Sequence, residues 1–198
     1  MHERPWDEVY RSRPPEELPW YTPALDADFA RALDRLEIAS GRALDIGCGP
    51  GTQSIGLAER GFEVVATDLS PAALAGARRR AEERKARLQF VENDILKNDV
   101  DGPFVLAIDR GCFHVFDPPA RPVYARTVAG LLAPGGWLFL KCFSEEQPGT
   151  EGPHRLSPLE LRGAFAGALD VVSIDRSIFE GTIEPHPKAL FCLLRKPL

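Results

Sequence analysis

A chain of 198 residues, 44% hydrophobic and 27% charged, is long enough for one domain with a sizeable core, and its composition is that of an ordinary soluble globular protein. A formal net charge of −5 argues against a nonspecific nucleic-acid surface, which needs a basic face. No apolar run approaches the roughly 18 residues of a membrane span, and Met1-His2-Glu3-Arg4-Pro5 holds no signal-peptide core, so a cytoplasmic location without membrane partners is expected.

Residues 1–23 are rich in proline, charge and aromatics. Trp20 and Tyr21 are too apolar for a free tail, so this arm is expected to fold back as a lid on a single domain spanning 1–198. Thr22 as N-cap and Pro23 at the first helical position predict a helix to about Ala39, with Leu25, Phe29, Leu33 and Leu36 on one face. Strands and helices then alternate. The pattern predicts a strand at 42–47, a helix at 52–60, a strand at 63–67 and a helix from Ser70-Pro71 to about Lys85, whose Arg78-Arg79-Arg80 run reads as a solvated face. Strands are predicted at 88–91 and 104–109, a helix near 120–132 and a fifth strand at 137–142. Ser157-Pro158-Leu159-Glu160 is a capping box opening a helix to about Ala166. The last two strands, 171–179 and 189–195, are joined by a link with two prolines that is too short for a crossover helix, so they should pair antiparallel. The expected fold class is α/β, a doubly wound, Rossmann-like seven-stranded sheet with a C-terminal antiparallel hairpin.

The segment Ala43-Leu44-Asp45-Ile46-Gly47-Cys48-Gly49-Pro50-Gly51-Thr52 reads as a buried strand, a tight glycine turn and a helix start. Alternating glycines leave the turn bare where a ligand could lie against the backbone, and the helix would aim free N–H groups at the same space. Asp68 ends the second strand about 20 residues on, where an acid suits ribose hydroxyls. A nucleoside-containing cofactor follows. A dinucleotide loop wants a third glycine where this chain has Thr52.

The combination Asp45-x-Gly47-x-Gly49-x-Gly51 followed by Asp68 resembles the class I S-adenosylmethionine-dependent methyltransferases, and the terminal hairpin extends the likeness over roughly residues 40–195. The resemblance implies S-adenosyl-L-methionine as cofactor. The loop, with Cys48, would take its methionine end, Asp68 the ribose, Asp94 the adenine amine, and Ile95 and Leu69 the two sides of the ring. Asp109 would face the transferable methyl group, and Trp20 would close over the cofactor. Asp117-Pro118-Pro119-Ala120 lies eight residues too late and lacks the aromatic of the amino-methylating enzymes, so it reads as the start of the next helix.

Asp109-Arg110-Gly111, Tyr124 and Gly152-Pro153-His154, with the arm's Trp6 and Trp20, resemble the thiopurine and thiol methyltransferases. The expected activity is therefore methyl transfer to a small-molecule acceptor, a thiol or other soft nucleophile, near Arg110 and His114. Arg110 would meet an anionic group or form a structural ion pair; His114 would accept a proton or line the entrance. A cation that lowered a thiol pKa by one unit would raise reactivity only about threefold, so no dedicated base is required. O- or N-methylation of a small metabolite, a nicotinamide-dependent oxidoreductase and a non-catalytic cofactor-binding subunit remain alternatives. Cys48, Cys112, Cys142 and Cys192 have neither disulfide nor zinc-ligand spacing, and no metal is expected.

Overall fold

The computed structural model describes residues 6–198; the Met1–Pro5 reading lies outside them. Seven strands form one sheet in the order β3-β2-β1-β4-β5-β7-β6. They are β1 (Gly41–Ile46), β2 (Phe62–Asp68), β3 (Gln89–Glu92), β4 (Phe104–Arg110), β5 (Leu132–Phe143), β6 (Asp170–Ile178) and β7 (Lys188–Arg195). The first five pair in parallel, and β7 pairs antiparallel with both β5 and β6. The expected fold and terminal hairpin are both present.

Side chains alternate across the sheet with the period of a strand. Leu44, Ile46, Ala107, Leu138 and Leu140 face one layer with α5 (Arg121–Leu131) and α6 (Pro158–Phe165). Ala43, Val64, Leu106, Ile108 and Phe139 face the other, where α2 (Ala27–Arg35) and α3 (Thr52–Glu59) supply Phe29, Leu33 and Leu57. Both faces are covered, which is why β1, β2 and β4 read as near-continuous apolar runs. Chain order reverses between β1 and β4, so a crevice opens beyond their carboxyl ends, the usual ligand position in such sheets.

Three elements depart from expectation. Helix α2 begins at Ala27 with Asp26 as its N-cap, accepting from the Asp28 N–H at 3.0 Å, so Thr22-Pro23 does not open it. Strand β5 starts at Leu132, through Pro134-Gly135-Gly136. The arm carries an unexpected helix, α1 (Trp6–Ser12), lying on α4 (Pro71–Glu83). Asp7 of α1 accepts from the Ser70 hydroxyl at 3.0 Å and the Ala72 N–H at 2.8 Å, adding a carboxylate to the α4 N-terminus. Arg80 is correspondingly not a solvated side chain: it donates to the Pro50 carbonyl at 2.8 Å and pairs with Glu16 of the arm at 2.7 Å. Arg78 donates to the Phe90 carbonyl at 2.9 Å. The capping box of α6 is present as read.

Candidate active site

Strand β1 delivers Asp45 and Ile46 to the crevice and then turns through Gly47-Cys48-Gly49. Gly47 and Gly49 sit at φ +67° and +49°, backbone that side chains disfavour. A Cβ on Gly47 would stand 2.9 Å from that of Cys112, and one on Gly49 would stand 2.5 Å from the Tyr10 hydroxyl. The turn is bare because the cavity wall comes that close. Asp68 ties turn to strand: one oxygen accepts the Gly49 N–H at 2.8 Å and the other the Ser70 N–H at 2.9 Å. Leu69, Asp94 and Ile95 line the same cavity from the ends of β2 and β3, as Cys48 and Trp20 do from the turn and the arm.

Gly51 and Asp109 do not line it, which corrects two expected ligand contacts. Gly51, at φ +78°, is bare because a Cβ there would reach 2.7 Å from that of Ala77; it lets α3 start against α4. Asp109 is wholly buried and turned inward, accepting the Gly111, Cys112 and Phe113 N–H groups and the Tyr124 hydroxyl at 2.6 Å. It shapes the loop after β4. Tyr124 is thereby a core residue packed on Phe113 and Phe165.

Burial pushes the Asp45 carboxyl up to about 7, against a hydrogen bond from the Ser54 hydroxyl and with the Asp109 and Asp68 charges adding to the rise. Burial also raises Asp68 and, with the nearby carboxylates, holds the Cys48 and Cys112 thiols well above their ordinary values. Both cysteines are neutral thiols. Asp45, Asp68 and Asp94 face the cavity with Arg110 as the single lysine or arginine among its described lining residues. A cationic ligand suits such a site.

Arg110 is already engaged. Its Nε donates to Asp26 at 2.8 Å, Nη1 to the Trp20 carbonyl at 2.8 Å and Nη2 to the Glu180 carbonyl at 2.6 Å, with the side chain 5% exposed. The ion-pair alternative holds for it, and a free cation for a thiolate does not. His114 is buried between Phe143 and Phe179, and its Nδ1 accepts the Phe143 N–H at 3.0 Å. The neutral tautomer assigned by that bond carries its proton on Nε2. Burial, with His154 adding and a hydrogen bond to the Gly111 backbone opposing, drops its pKa to about 3. An imidazole so weakly basic is no proton acceptor for a thiol, which corrects that reading; it is a wall residue. His154 braces it from behind, its N–H donating to the His114 carbonyl at 2.9 Å.

Phe143 and Phe179 flank the His114 ring, and Val115, Phe116 and Ile183 add further apolar lining to the cavity. Trp6 and Tyr10 also line the cavity, each edge-on to Trp20. The sequence reading missed Tyr10, whose signal was its i, i+4 spacing from Trp6. It also missed Phe179, which no local pattern marks. Among the described residues no group of three or more His, Cys, Asp or Glu is placed to hold a metal, and no helix is long and apolar enough to cross a membrane.

A family model described as a methyltransferase domain matches residues 43–136. Over 165 residues the chain is 30% identical to 2-heptyl-1-hydroxyquinolin-4(1H)-one methyltransferase of Mycobacteroides abscessus, a match covering 79% of this chain and 72% of that one. The chain belongs to the S-adenosylmethionine-dependent methyltransferases. It is 26% identical to probable thiol methyltransferase 2 of Arabidopsis thaliana over 72% of this chain and 64% of that one. A solved structure described under the conversion of a disulfide bond into a thioacetal group during echinomycin biosynthesis superposes with a TM-score of 0.85 and 26% identity, covering 97% of this chain and 92% of that one. The residues present fit the family's cofactor: a backbone cradle that a Cβ would fill, and three carboxylates for a ligand carrying sulfonium and ammonium charges.

Proposed function

We propose that this enzyme methylates the sulfur of a small, largely apolar thiol. On the cofactor side Gly47, Cys48 and Gly49 accept the methionine end beside Asp45, Asp68 takes the ribose hydroxyls, and Asp94, Leu69 and Ile95 hold the adenine. Trp20 and the arm form the lid over this single domain. When bound, S-adenosylmethionine supplies an electrophilic methyl group on a sulfonium. The acceptor enters as the thiolate, its proton already lost to bulk solvent, and the chain's own residues align it and exclude water.

One observation carries the reading: the cavity wall at Arg110 and His114 is apolar, with Phe143 and Phe179 against them and Val115 and Ile183 also lining the cavity, while the two polar candidates themselves are engaged or too weakly basic. An enzyme without a base favours acceptors that ionise unaided. A thiol of pKa about 8.5 is a few per cent thiolate at neutral pH, whereas a phenol of pKa about 10 is only about 0.1% ionised. Proximity in an in-line displacement supplies most of the remaining acceleration. The thiol methyltransferase relative and the disulfide-to-thioacetal structure support sulfur.

A second reading, O-methylation of a hydroxylated heteroaromatic ring, is favoured by the substrate in the Mycobacteroides relative's name, which would suit the same apolar walls. A screen with methyl-labelled S-adenosylmethionine over thiols, selenols, phenols and amines decides. Label on aromatic or heteroaromatic thiols is the expected result. Turnover of phenols or amines with none of any thiol would overturn the sulfur assignment.

A further inference from the structure

Behind the acceptor end lies a charge cluster that methyl transfer does not use. The Asp26 carboxylate, fully buried, meets Arg110 Nε at 2.8 Å with one oxygen and Lys141 Nζ at 2.6 Å with the other. Lys141, itself 1% exposed, also pairs with Asp28 at 2.7 Å and donates to the Ile178 carbonyl at 3.2 Å. Buried ion pairs gain little over apolar side chains of the same volume, so stability alone does not account for them.

Their position does. With Nε held by Asp26, the planar fork of Arg110 points its two ends at carbonyls on different segments, Trp20 in the arm and Glu180 after β6, and its guanidinium lies 5.3 Å from the centre of the Phe179 ring. The two segments also join directly. The Thr182 N–H donates to the Pro19 carbonyl at 3.2 Å and the Thr182 hydroxyl to the Leu18 carbonyl at 3.2 Å. Their contact is so close at Gly181 that a Cβ would stand 2.1 Å from the Pro19 oxygen. Trp20, Phe179 and Ile183, which line the cavity, hang from this seam.

We propose that Arg110 is a positioning residue, oriented by Asp26 and Lys141, that locks arm residues 18–20 to residues 179–183 and so fixes the slot into which the acceptor fits. The inference rests on the reading that these residues bound the acceptor. The rest of the cofactor side is built by the ends of β1, β2 and β3, and the Trp20 ring is held over it by Trp6 and Tyr10 of α1, which is anchored separately through Asp7, so loosening the seam acts mainly on acceptor fit.

Two variants break the seam differently. Arg110→Lys keeps the positive charge beside Asp26 but has no fork to reach both carbonyls. Gly181→Ala wedges the segments apart and leaves every charge in place. In the full-length protein, both should speed amide exchange at Tyr21 and Thr182 by roughly tenfold or more, with the β1 and β4 amides unchanged. S-adenosylhomocysteine Kd by calorimetry should stay within about twofold, while KM for benzenethiol rises roughly tenfold, the equivalent of one lost charge-assisted hydrogen bond, and kcat falls less. Unchanged exchange in both variants, an unchanged acceptor KM, or a cofactor Kd that weakens as much as the acceptor KM would overturn the proposal. Should the wild type methylate no thiol, the sulfur reading falls instead; the exchange data then test the seam directly, and the KM comparison uses the acceptor that the screen returns.

Discussion

Asp45 provides a sharp test of how the cofactor is recognised. Its carboxyl is held at about 7 in the free protein, so near neutrality about half the molecules carry a proton there. A cation brought within about 4–6 Å lowers a carboxyl pKa by roughly one to three units. The free state therefore binds more protons than the bound state between the bound pKa and 7, and affinity must rise with pH across that window. For a shift of one to three units, affinity at pH 7.5 should exceed that at pH 5.5 by about six- to twenty-four-fold. Asp45→Asn keeps an acceptor for the Ser54 hydroxyl and removes the titration. Calorimetry of S-adenosylmethionine and S-adenosylhomocysteine over pH 5.5–7.5 reads the slope. A slope shared by both ligands assigns the ammonium to Asp45, and one confined to S-adenosylmethionine assigns the sulfonium. A flat wild-type profile, or an equal slope in Asp45→Asn, would refute the assignment.

Other consequences follow from the same geometry. Asp68→Ala should weaken S-adenosylhomocysteine binding by roughly tenfold to a hundredfold, the value of a hydrogen bond to a charged acceptor; unchanged affinity in a folded variant would remove Asp68 from the ribose. Tyr124→Phe should lower stability by about 1–3 kcal/mol by denaturant titration, through loss of its bond to buried Asp109, and leave acceptor KM unaltered; a KM effect without destabilisation would contradict its core role. His114, neutral down to about 3 when folded and near 6.5 when unfolded, contributes stability that is present above the unfolded pKa and lost as pH falls. Between pH 7 and pH 5 the wild type should lose about 2 kcal/mol more than His114→Gln, and equal losses would contradict the buried neutral imidazole.

Much of the fold is legible because its signals are local. The glycine turn after β1, Ser70-Pro71 and the Ser157 capping box each depend on neighbours in sequence, and each forms where expected. The antiparallel end of the sheet follows from the length of one link. The start of α2 was misread because Asp26 is chosen as cap by distant partners, Arg110 and Lys141, which no window around Thr22 contains. That the glycine turn, Asp45, Asp68 and Asp94 meet at one cavity was legible for the same local reasons. The acceptor half was not. Arg110, His114 and Asp109 were found as strand-end residues, but their roles depend on which backbone groups use their polar atoms, and those come from the arm, β5 and the β6–β7 link. Phe179 and Ile183 enter the cavity through tertiary packing alone.

The central claim is that the acceptor ionises by itself and the protein only holds it. The most direct measurement is kcat/KM between pH 5 and 9 for a heteroaromatic thiol and for its hydroxyl analogue of the same shape. The account predicts that each profile follows the acceptor's own pKa once the Asp45 titration is removed by saturating cofactor, with the thiol the faster substrate near neutrality. A profile governed by an enzyme group of the same pKa for both acceptors, with the hydroxyl compound the faster, would contradict it.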